Sequence, residues 1–165
     1  MSTPLITIVM GSDSDLPVMQ VAAETLATLD VPCELRVSSA HRSPEKTRRL
    51  VAEAIERGVQ VFIVGAGAAA HLAGVIAAET TRPVIGVPLD GSPLKGIDAL
   101  YSTVMMPGGI PVASMAIGKA GAKNAALFAA EILALHDPAL AARLADDRRR
   151  QAEGVEEKDR KVRGG

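Results

Sequence analysis

Aromatic side chains are nearly missing from this chain: its 165 residues include no Trp, one Tyr and two Phe. That removes the stacking platforms on which single-stranded nucleic acid binds. It also leaves the core to Ala, Val, Ile, Leu and Met, small enough to bring backbones close together. Cysteine occurs once, at Cys33, which excludes an intrachain disulfide and a cysteine-based metal site. Cys33 is expected to act as a buried small apolar residue. An excess of either charge is lacking too: 18 basic against 19 acidic residues leave a net charge of -1. No overall field draws the chain to nucleic acid or to an anionic membrane. No apolar run approaches the roughly 18 residues of a membrane span. The first residues, MSTPLITIVMGSDSD, carry no basic region of a secretory leader, so a cytoplasmic protein is expected. Histidine is also scarce, with three copies, which makes their positions informative.

What is present is an alternation. LITIVM (5–10) is a continuous, β-branched apolar run, the pattern of a strand covered on both faces of a parallel sheet. The segment 14–30 has apolar residues at helical spacing, with Ser14 placed to cap it and Asp15 in its first turn. PCELRV (32–37) reads as a second strand, followed by a helix capped by Ser43, opened by Pro44 and stopped at Gly58. Strands at 59–67, 83–89 and 110–118 alternate with helices at 68–80, 96–106 and 120–136. Strand and helix in alternation indicate an α/β protein with a parallel sheet and right-handed crossovers. Residues 1–136 form one domain on this reading. Composition shifts over 137–165, where Pro138 opens a helix with a narrow apolar stripe, Leu140 and Leu144, and the charged tail beyond Gly154 is expected to be poorly ordered. His136, at a helix end, is expected to face the helix dipole.

In an open parallel sheet, ligands gather at the carboxyl ends of the strands. The first strand is followed there by GSDSD (11–15), with hydroxyls on Ser12 and Ser14 for an anion and the Asp15 carboxylate for sugar hydroxyls. It has neither the lysine of a Walker-type loop nor dinucleotide glycine spacing. The second strand is followed by SSAHRS (38–43), where Arg42 can grip phosphate bidentately and His41 is of the residue type that titrates near neutral pH. The third is followed by GAGAAAH (65–71), whose small residues let the backbone approach a flat ligand and whose main-chain N–H groups can hold a carboxylate. A structural role for His71 at a helix start is the alternative to a role in a site.

Together, GSDSD, SSAHRSPE and GAGAAAHLAG, continued by PVIGVPL and GIDALYSTVMMPGGIPVASMAIGKAGAKNAALFAAEIL, closely resemble the motifs of the class I N5-carboxyaminoimidazole ribonucleotide mutases of purine biosynthesis. The resemblance spans roughly residues 5 to 145. It implies a flavodoxin-like three-layer sandwich with a C-terminal helix, assembled as a homo-octamer with sites between subunits. It implies transfer of a carboxylate from the exocyclic nitrogen of a nucleotide substrate to a ring carbon, without metal or organic cofactor. By the same resemblance, Ser12, Ser14, Asp15 and Arg42 hold the ribose phosphate, and Ser39 and Ala40 line that loop. His41 carries the proton, while Gly67, Ala68, Ala69, His71 and Leu72 surround the base. The chain departs from the usual pattern at Ala68, where a glycine is common, at Ala73 for proline and at Met105 for glutamine. SAHR in place of SAHK favours the mutase over a direct carboxylase. A nicotinic acid dinucleotide carboxylase and a non-catalytic nucleotide-binding module are the other readings, the latter having no need of His41.

Overall fold

The structure, a computed structural model, describes residues 3–164. Five strands form one parallel sheet in the order β2-β1-β3-β4-β5: β1 (Ile6–Met10), β2 (Cys33–Val37), β3 (Val61–Gly67), β4 (Val84–Leu89) and β5 (Ala113–Ser114). Register is continuous across the centre, with Ile8 opposite Leu35 on one side and Ile63 on the other. Every residue of β1 and β4 is buried, which is why these strands read as unbroken apolar runs rather than alternating ones.

Helices α1 (Leu16–Thr28) and α5 (Lys119–Ala134) cover one face. Their Met19, Leu26, Ala122, Ala126 and Ala129 pack on Ile6, Ile8, Ile63 and Ile85. Helices α2 (Pro44–Glu56), α3 (Leu72–Ala78) and α4 (Ile97–Val104) cover the other, packing Leu50, Val51, Ile76 and Ala99 against Val9, Phe62 and Val64. This is the flavodoxin-like three-layer sandwich. Alanine on α5 allows the helix to lie close to its neighbours. At Gly121 the approach is closer still, because a Cβ there would sit 1.6 Å from the carbonyl oxygen of Ala116.

Several local expectations are corrected. The turn after β1 is a 3-10 segment (Asp13–Asp15) capped by Ser12, not by Ser14. Ser43 donates its hydroxyl back to Ser39 O at 3.1 Å and makes no side-chain cap for α2, although Pro44 does open that helix. The run 110–118 pairs with β4 only through Ala113 and Ser114; prolines at 88 and 111, each without an N–H, bracket the pairing. Cys33 is half-buried against the core rather than buried, with its thiol pushed up by desolvation. Residues 68–71 form a turn, and α3 begins only at Leu72.

The tail is helical. Helix α6 (Pro138–Arg163) runs through Gly154, capped by Asp137, which accepts from Ala139 N and Leu140 N. Leu140 is buried and Leu144 packs beside it on the core. Beyond them Arg148 pairs with Glu131 of α5 at 2.9 Å, and the helix carries its own i,i+4 ion pairs, among them Arg149–Glu153 at 2.7 Å and Lys161–Glu157 at 2.7 Å. His136 is exposed in the turn between α5 and α6.

Candidate active site

The strand order reverses direction between β1 and β3, so the chain leaves these neighbours towards opposite faces of the sheet and a crevice opens between the two exits. The loop after β1 forms one wall. Ser12 accepts from Ser14 N through Oγ at 3.3 Å, and Asp15 reaches back to accept from Ser12 N at 3.0 Å, a reciprocal capping box. Ser14 Oγ donates to Ser12 Oγ at 2.9 Å. The Asp15 carboxyl is pushed above its usual 3.8 by partial burial, offset by the Ser12 N–H bond, with the neighbouring Asp13 charge raising it further.

The loop after β2 forms the second wall. Its foundation is a buried pair of hydroxyls, Ser38 and Thr47, 2.9 Å apart, which ties the end of β2 to the first turns of α2. Above it Ser39 closes a tight turn, accepting from Arg42 N through Oγ at 3.2 Å and from Ser43 N through its carbonyl at 2.9 Å. That turn lifts His41 and Arg42 into solvent. Among the described residues Arg42 has no carboxylate partner, leaving its guanidinium free for an anion.

The loop after β3 forms the floor. Ala68 takes a left-handed conformation, φ +51°, which is uncommon for a residue with a side chain. It turns the chain from β3 towards His71, whose N–H bonds Ala69 O at 2.9 Å and whose carbonyl accepts from Val75 N at 3.0 Å. His71 is thereby fixed at the start of α3, and its Nδ1 lies 2.9 Å from His41 Nε2 with the rings nearly perpendicular, 84°.

These loops enclose a cleft of about 450 Å³ lined by Ser12, Ser14, Asp15, Ser39, Ala40, His41, Arg42, Gly67, Ala68, Ala69 and Leu72. Every candidate residue except His71 is on its wall, and His71 reaches it through His41. Gly11, Ala66 and Gly91 line it as well; sequence reasoning passed over them as site residues, although the loop after β4 that holds Gly91 leaves the same sheet edge. The pairing of His41 with His71, thirty residues apart, had no signal in the sequence.

A cleft with one free guanidinium, serine hydroxyls, a partly desolvated carboxyl and an imidazole pair can hold a phosphorylated sugar at one end and move a proton at the other. Among the described residues no group of three or more His, Cys, Asp or Glu is placed to hold a metal ion, and no helix is long and apolar enough to cross a membrane. A larger cavity, about 1010 Å³, lies by the amino ends of β4 and β5 between Ile55, Val84, Ile110 and Phe128. It contains none of the candidate residues, and the one carboxylate on its wall, Glu79, is paired with Arg48 at 3.2 Å.

Residues 5–154 match the AIRC family, AIR carboxylase. The chain is 55% identical over 150 residues, 91% of its length and 89% of its relative's, to the N5-carboxyaminoimidazole ribonucleotide mutase of Escherichia coli (strain K12). It is 53% identical over 146 residues, 88% of its length and 90% of the relative's, to the protein of that name in Bacillus subtilis (strain 168). Among solved structures it resembles the crystal structure of Treponema denticola PurE, with a TM-score of 0.86 and 31% identity over 96% of this chain and 98% of that one.

Proposed function

Because the chain belongs to the AIR carboxylase family, we propose that it is the mutase of purine biosynthesis that converts N5-carboxyaminoimidazole ribonucleotide to 4-carboxyaminoimidazole ribonucleotide, with His41 as the proton carrier. The names of relatives at 53–55% identity support the reaction. The single structural observation that carries the mechanism is the position of His41 on the cleft wall directly beside Arg42.

Arg42, with Ser12 and Ser14, binds the phosphate, and Asp15 accepts from the ribose hydroxyls. With that end fixed, the imidazole base of the nucleotide extends along the floor formed by Gly67, Ala68 and Ala69. His41 delivers a proton to the carbamate nitrogen, the N–C bond breaks, and CO2 and a neutral aminoimidazole result. Ring carbon 4 then attacks CO2 with the electron pair of its enamine-like system. The proton on that carbon returns to His41, restoring aromaticity and the starting protonation state. One residue therefore gives the first proton and takes the second. The small residues of the floor let the base lie close against the backbone, which holds the ring carbon within reach of the CO2 just released.

The protein is expected to act as a cytoplasmic homo-octamer. Leu94, Ile97, Tyr101, Val104 and Met105 are all exposed apolar side chains on and around α4, with Met105 78% and Tyr101 63% accessible. Surfaces of that kind on a single chain mark a covered interface, and light scattering should give eight times the 17.1 kDa chain mass.

The test is a rate. The carbamate nucleotide is mixed with protein without ATP or added bicarbonate, and the carboxylated product is followed by ultraviolet absorbance. Wild type converts it, and His41→Asn loses at least about a hundredfold in kcat, the lower range for removing a general acid–base. Activity only with the decarboxylated nucleotide and CO2 would instead identify a direct carboxylase, and full activity of His41→Asn would remove His41 from the reaction.

A further inference from the structure

His71 contributes no atom to the cleft wall, yet among the described residues it is the only side-chain hydrogen-bond partner of the His41 ring. At 2.9 Å the two nitrogens must share one proton: one ring donates and the other accepts. Two N–H groups cannot face each other at that distance, and neither can two lone pairs. The tautomer of one histidine therefore dictates that of the other. The two rings also differ in how firmly they are held. His71 sits at the start of a helix with its N–H and carbonyl both bonded within the β3–α3 turn, whereas His41 rides on an exposed turn fixed only through Ser39.

We propose that His71 is a positioning residue: its Nδ1 accepts from His41 Nε2–H, orienting the His41 ring over the cleft with its transferable proton on Nε2. This rests on the reading of His41 as the proton carrier. The short nitrogen–nitrogen distance and the nearly perpendicular rings are those of an edge-on hydrogen bond rather than of face-to-face ring stacking. When substrate enters, its carbamate nitrogen replaces His71 as the acceptor, so the proton is delivered after only a small turn of the His41 ring.

The experiment compares wild type, His71→Asn and His71→Phe as full chains. Asn places a polar atom where Nδ1 stood; Phe keeps the ring volume and removes the acceptor. Ring nitrogens are read by 15N magnetic resonance on ligand-free protein with labelled histidine, and His136, remote in the turn after α5, serves as the internal reference. In wild type the His41 Nε2 signal is expected to be that of a hydrogen-bonded N–H. It should move towards free imidazole in His71→Phe and stay near its wild-type position in His71→Asn, with His136 unchanged in both. In the rate assay His71→Phe should lose about tenfold to a hundredfold in kcat, the range typical of removing an orienting partner, with KM within about twofold. His71→Asn should recover most of that loss. A risen KM with kcat intact would make His71 a substrate-binding residue and overturn the proposal. So would a bare acceptor nitrogen at His41 Nε2, His41 signals unmoved in His71→Phe, or equal kcat losses in both variants. If the wild type fails to convert the carbamate nucleotide, the functional reading falls, and the nitrogen signals still decide whether His71 orients His41.

Discussion

Replacing Ala68 with glycine should stabilise the protein, although it removes a methyl group. Ala68 sits at φ +51°, where its Cβ crowds the following carbonyl at a cost of roughly 1–2 kcal/mol. Glycine relieves that crowding. It also makes the unfolded chain more flexible, which opposes the gain by about 0.4–1 kcal/mol. The side chain is exposed, so little apolar burial is lost. At the middle of both ranges the balance is a gain of about 0.8 kcal/mol. At the roughly 2–4 °C per kcal/mol usual for a chain of this length, Tm should rise by about 1–4 °C. The control is Ala69→Gly, next in sequence, equally exposed, and absent from the residues with positive φ. Only the unfolded-state term applies there, so its Tm should fall. Melts run at one protein concentration keep assembly from shifting Tm by mass action. Shifts of the same sign in both variants would refute the reasoning, since the argument rests on the backbone angle alone.

Gly121→Ala should be severely destabilising, by about 3 kcal/mol or more, because the added Cβ meets a backbone oxygen 1.6 Å away that no rotamer change can relieve; urea midpoints would show it. Arg42→Lys keeps the charge but loses the fork, and should raise KM for the nucleotide about tenfold with kcat little changed, as steady-state kinetics would read. Asp15→Asn leaves an oxygen to accept from Ser12 N but abolishes titration. Because the Asp15 carboxyl is raised above 3.8 in the folded protein, the native state holds that proton more tightly than the unfolded state. Its contribution is present below 3.8 and is lost as pH rises through the native value. The stability of wild type relative to Asp15→Asn should therefore decline across that acidic window and then level off, as denaturant melts against pH would show; a rising difference would contradict it.

The fold was legible because its central strands are buried on both faces. LITIVM and VFIVGAG read as strands from composition alone, and alternation with helical periodicity leaves few topologies. Two of the places where the reading failed are those where pattern and partner disagree. Residues 110–118 look like a strand, yet only Ala113 and Ser114 find ladder partners. Residues 155–163 look like an unstructured charged tail, yet Lys161–Glu157 and Arg163–Asp159 pairs at helical spacing hold them in α6. Capping was misassigned by two residues at Ser12, because serine at either position is chemically able to cap and only backbone geometry chooses between them.

The site divides in the same way. By itself the sequence determined which chemistry is available: hydroxyls, a carboxylate, Arg42 and His41 lie in short loops after apolar runs, and their types and order are local properties of the chain. It also placed those loops at one edge, since parallel strands all end on the same side. Only the tertiary structure decided that the His41 and His71 nitrogens stand 2.9 Å apart, that Ala68 takes a left-handed angle, and that Gly91 from the loop after β4 completes the cleft. Those facts depend on strand order and on how far each turn projects. Such distances are set by packing between elements remote in sequence, and no local pattern carries them.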